Sequence, residues 1–128
     1  MIPGALYQDQ AGSALQTLMA IQHREILDSF EEAFRLYRED SADAMLIAAI
    51  DRIHACVRAH FEDEELLDSQ PANYASYAHR EVHQRALVQI GAICQRAGYF
   101  DREDSLSQLL HLNEWLQDHI FEETSERA

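Results

Sequence analysis

This sequence predicts an all-α fold, an antiparallel up-down-up-down four-helix bundle with a metal centre in its core. Three observations predict it. Apolar residues recur at spacings of three and four in four separate segments, the mark of amphipathic helices. Short polar, Gly or Pro clusters part those segments, and short connections make consecutive helices antiparallel neighbours. Each segment also carries at least one of the chain's seven histidines. No stretch alternates strictly enough to read as a strand.

The first helix is expected over about 12–38, where Leu15, Leu18, Met19, Ile26, Phe30, Phe34 and Tyr37 share the helical period. Glu39, Asp40 and Ser41 interrupt it and offer an N-cap for the next. The second, about 41–67, carries Met45, Ile50, Ile53, Val57 and Phe61. Asp68-Ser69-Gln70-Pro71 breaks the chain, and Pro71 suits the first turn of a third helix. That helix, about 71–97, holds Tyr74, Tyr77, Val82, Leu87, Ile90 and Ile93, with Gly98 as its stop. Asp101 caps a fourth, about 101–124, with Leu106, Leu109, Leu110, Leu112, Leu116 and Ile120.

A chain of 128 residues makes one ordinary domain, 1–128, large enough for a real core. Apolar residues are 47% of it, which excludes a disordered chain, yet no apolar run approaches the ~20 residues of a membrane span. The start, MIPGALYQDQ, has neither the basic nor the apolar region of an export signal, so a cytoplasmic location is expected. A formal net charge of −13 disfavours nucleic acid and fits carboxylates partly neutralised by metal. Cys56 and Cys94 form no CxxC pair and read as free thiols, so the metal ligands are sought elsewhere.

They are sought among the histidines. Residues four apart on a helix point within about 40° of each other, one turn along. His60 and Glu64, His79 and His83, and His119 and Glu123 all have that spacing, while His23 stands on the first helix. Antiparallel packing brings these positions to a similar depth. Burying five imidazoles and a carboxylate with no common partner would cost several kcal/mol, which a metal centre offsets. The set is too large for one tetrahedral zinc and lacks thiolate, which suits two first-row ions, iron foremost. His54 and His111 fall on other faces and read as surface residues or neighbours of the ligands.

The acidic run in HFEDEE divides by angle. Glu64 shares the face of His60 and can bridge two metals, whereas Glu65 is turned about 100° and Glu62 about 160° away, towards solvent. Asp63 is only moderately turned from His60 and stays open between the two readings. Phe61 is expected to pack on a neighbouring helix rather than touch a ligand.

In this order and at these separations, the motifs resemble those of the bacterial hemerythrins. They are Gln22-His23, then His60-Phe61-Glu62-Asp63-Glu64-Glu65, then His79 and His83 four apart, then Trp115-Leu116-Gln117-Asp118-His119-Ile120. The resemblance runs from about residue 18 to 124. It implies a non-haem di-iron O2-binding bundle with two iron ions bridged by Glu64 and an oxo or hydroxo group. One iron would take His79, His83 and His119, and the other His23 and His60, with an open position for O2. Trp115, one turn before His119, would wall that pocket.

The sequence departs from the family at Thr124, where the pattern has a second bridging Asp. Glu123 is the expected substitute, one residue earlier and with a longer side chain. The resemblance therefore implies a binding protein for O2 storage, delivery or sensing, rather than an enzyme. The alternative is a di-iron redox enzyme or sensor acting on peroxide, NO or O2, motivated by the anionic bridge lost at Thr124. The expected partner is O2 or a related diatomic or peroxide ligand.

Overall fold

The computed structural model describes the backbone of residues 3–68, 74–97 and 102–127, and the side chains of 14, 17–66, 78–97 and 102–120. Four α-helices make up this part of the chain: α1 (Pro3–Arg38), α2 (Asp43–Asp68), α3 (Tyr74–Arg96) and α4 (Arg102–Arg127). No strand occurs among the described residues. The helices form a bundle in which α1 packs on α2 and α4, α2 on α3, and α3 on α4.

Some boundaries differ from expectation, among them the end of α4, at Arg127 rather than 124. Helix α1 begins at Pro3 rather than Gly12. A proline loses nothing at the first helical position, where its missing N–H would have no intrahelical partner. Helix α2 begins at Asp43, because the Ala42 carbonyl, not one within 39–41, accepts from the Met45 and Leu46 amides. The polar cluster instead ends α1. Asp40 adopts a left-handed φ of 52°, the Ser41 amide donates to the Leu36 carbonyl at 3.0 Å, and the Asp40 amide donates to Tyr37 at 3.2 Å. That pairing satisfies carbonyls which the helix would otherwise leave open. Pro71, Gly98 and Asp101 lie outside the described residues.

One apolar stripe per helix builds the core. Ile26, Phe30, Ala33 and Leu36 come from α1, and Leu46, Ala49, Ile50, Ile53, Val57 and Phe61 from α2. Ala86, Ile90 and Ile93 come from α3, and Leu109, Leu112, Leu116 and Ile120 from α4. The three-and-four spacing holds on every helix, so each buries one face. Leu18, Met45, Val82 and Leu110, expected in the stripes, are exposed instead. Leu46 takes the buried place beside Met45.

Polar contacts tie the α1–α2 turn to the start of α4. Arg102 donates to Asp40 at 3.0 Å and to Asp43 at 2.5 Å. One turn into α4, the Ser105 and Tyr37 hydroxyls lie 2.8 Å apart, within hydrogen-bond reach. No described helix is long and apolar enough to cross a membrane.

Candidate metal centre

Beyond the apolar layers the core changes character. His60, Glu64 and His83 are all buried, between 0% and 1% exposed. The helical period that buries Val57 and Phe61 also carries His60 and Glu64 inward, one turn apart on α2. His79 and His83 repeat that one-turn step on α3, and His119 comes in from α4.

Glu64 stands at the centre. Its Oε2 lies 3.1 Å from His60 Nε2, while its Oε1 lies 3.2 Å from His79 Nε2 and 3.7 Å from His83 Nε2. The Nε2 atoms of His83 and His119 are 3.2 Å apart. Ligand atoms of Glu64, His79, His83 and His119 all fall within 4.8 Å of one another. His23 does not join that tight group. It sets its ring edgewise against His60, centroids 4.6 Å apart at 73°.

Of the seven expected ligands, Glu64, His79, His83 and His119 form one group, His60 meets Glu64 from another side, and His23 lies against His60. The side chain of Glu123 lies outside the described residues, as does that of Thr124. His111 is exposed, and His54 lines a groove of about 350 Å³ between α2 and α3.

The run HFEDEE resolves into four different environments. Glu62 is exposed, with only a loose 3.9 Å contact to Arg58. Asp63 turns sideways to α1, where Gln22 Nε2 donates to its Oδ2 at 2.6 Å. Glu65 is not a solvated acid, for it is 24% exposed with its Oε1 3.5 Å from His83 Nδ1. Phe61 also departs from expectation, because it does touch a ligand-type residue. Its ring stacks on His83 at 3.8 Å and 4°, and it meets His119 edgewise at 6.1 Å.

Two further contacts shape the site. Gln22 Oε1 lies 3.0 Å from His60 Nδ1. Trp115 lies flat on His119, with centroids 5.0 Å apart at 10°. It is 38% exposed and lines a groove of about 290 Å³ with Val82, Arg85, Ala86 and Gln89. The links from Gln22 to His60 and Asp63, and from Glu65 to His83, escape sequence reasoning, because they join different helices.

The donor set fits a metal ion. Ligand atoms around a first-row ion with bonds of ~2.0–2.1 Å stand about 3.0–3.4 Å apart. The Glu64–His79 and His83–His119 contacts, at 3.2 Å each, have that spacing, and Glu64–His83 is longer at 3.7 Å. His60 Nε2 is buried with no hydrogen bond, although a carboxylate oxygen is 3.1 Å away. A buried lone pair facing a carboxylate is costly until a cation or proton comes between them. Comparison of the chain with family models, curated proteins and solved structures finds no match.

Proposed function

We propose that the chain is a non-haem di-iron protein of hemerythrin type that binds O2, or a related diatomic or peroxide ligand, for storage, delivery or sensing. The observation that carries this reading is the placement of the Glu64 carboxylate. It is buried, with one oxygen towards His60 and the other towards His79 and His83. A carboxylate with ligand-type nitrogens on both sides suits a bridge between two cations. In this reading His79, His83 and His119 hold one iron, and His23 and His60 hold the other. The bundle is taken as antiparallel, up-down-up-down, and the location as cytoplasmic.

When bound, a pair of ferrous ions supplies two electrons and an open coordination position for a small ligand. The protein's own residues do the rest. Glu64 offsets part of the cationic charge inside the core. Phe61 and Trp115 cover the faces of His83 and His119, limiting ring rotation and the approach of water. With Thr124 where the family pattern has Asp, Glu123 supplies the second carboxylate.

The test is an iron analysis and visible spectrum of chain loaded anaerobically with Fe(II), then exposed to air, then flushed with argon. Two irons per chain, with charge-transfer bands that come with air and leave under argon, are expected. Bands that persist would replace the reading by a redox enzyme or sensor. Fewer than one iron per chain would overturn it.

A further inference from the structure

We propose that Gln22 and Asp63 are a positioning pair that holds the His60 imidazole in one tautomer, with hydrogen on Nδ1 and the Nε2 lone pair turned to Glu64. The inference extends the reading of the cluster as a cation site, but its geometric core does not depend on iron.

A chain of contacts forces the assignment. The Asp63 carboxylate only accepts hydrogen bonds, so the edge of Gln22 that meets it at 2.6 Å is the NH2 group. An amide has a fixed opposite edge, so the oxygen of Gln22 faces His60 Nδ1 at 3.0 Å. That oxygen also only accepts, hence Nδ1 carries the hydrogen and donates. A neutral imidazole has a single N–H, which leaves a lone pair at Nε2, 3.1 Å from Glu64 Oε2.

The alternative shows what Asp63 contributes. Without it, the Gln22 amide can rotate by half a turn and present NH2 to Nδ1. The hydrogen of His60 then moves to Nε2, on the side of Glu64, and occupies the position that a metal would need. Asp63 disfavours that state from outside the cluster, one helix face away from the ligands. Hydrogen-bonded partners of this kind fix the tautomer of metal-binding histidines, and losing one commonly costs ~10–100-fold in metal affinity.

The experiment has two readouts. The first is the imidazole 15N spectrum of metal-free, 15N-labelled chain above the histidine titration range, with His60 assigned by its loss in His60→Gln. Hydrogen on Nδ1 is expected in the native chain. A shift of population towards Nε2–H is expected in Asp63→Ala and Gln22→Leu, with helix content unchanged by circular dichroism. The second is equilibrium titration with Co(II), where each variant is expected to bind ~10–100-fold more weakly.

The double variant Gln22→Glu/Asp63→Asn keeps an acceptor towards His60 and a donor behind it, and is expected to restore both readouts. A purely structural role would leave the tautomer unmoved. Hydrogen on Nε2 in the native chain, or a tautomer indifferent to Asp63→Ala, overturns the proposal. Failure of the native chain to bind cobalt overturns the metal reading instead, while the metal-free spectrum still decides the role of the pair.

Discussion

Near the α1–α2 turn the bundle core is apolar, whereas around Glu64 it is lined with ionisable side chains. At the first place Phe30, Leu36, Leu46, Ile50, Ile93 and Leu109 fill the core, and Arg102, Tyr37 and Ser105 make the polar contacts at its rim. At the second, His60, Glu64 and His83 occupy equally buried positions on the same helices. Hydrophobic burial stabilises the first region outright. The second gains little from burying ionisable groups, and a bound cation would make it more favourable. One set of helices thus carries a self-sufficient apolar half and a half whose Glu64, His79, His83 and His119 could hold a metal ion.

The sharpest way to break that contrast is to damage the self-sufficient half. Phe30→Ala should cost ~3–5 kcal/mol through lost burial and a cavity. The loss should be the same with and without bound metal to within ~0.5 kcal/mol, because distant sites add independently. Thermal or urea unfolding of loaded and stripped protein checks this. A loss confined to the loaded form would contradict it.

Metal removal comes next. Ligand at a thousandfold excess over its dissociation constant stabilises by about 4 kcal/mol, so chelation should lower Tm by on the order of 10 °C. Amide exchange should speed up around His60 and His83 more than around Leu36 and Leu46. Uniform acceleration along α2 would erase the distinction between the halves.

Glu64→Met sharpens the comparison by reversing a sign. The variant should lose metal uptake, yet its metal-free form should be about 1–3 kcal/mol more stable than the metal-free native chain, since a buried polar group gives way to an apolar side chain of similar size. Chemical denaturation of both stripped proteins decides this. A less stable variant would mean that Glu64 is already well satisfied without metal.

The smallest effect lies back at the self-sufficient half. Burial raises the Cys94 thiol above its ordinary range, with Asp51 adding to the shift. The thiol therefore stays neutral in the folded chain at pH values where the unfolded chain has begun to ionise. Its contribution is full below the ordinary thiol range and is lost as pH rises through the raised folded value. Stability should decline slightly faster on the alkaline side in the native chain than in Cys94→Ala, measured by urea unfolding at successive pH values.

Much of this organisation is legible in the sequence. Ile50, Ile53, Val57 and Phe61 announce the buried face of α2, and the same period carries His60 and Glu64 onto it, because one helix has one set of angles. The start of α1 is not legible, since Gly12 looks like a boundary although the helix passes through it. Asp63 stays open and Glu65 misleads, both for a different reason. Their angles on α2 are correctly read, but what stands opposite is decided by α1 and α3. Gln22 is 41 residues from Asp63, a pairing that no local spacing reveals.

Trp115 is the only tryptophan in the chain, and its indole lies against His119. The protein therefore carries an intrinsic fluorophore in contact with one of its proposed ligands. Its emission should be quenched as a paramagnetic ion reaches His119 and recover when a chelator withdraws it. Occupancy at that end of the bundle can then be followed in real time, in unlabelled protein.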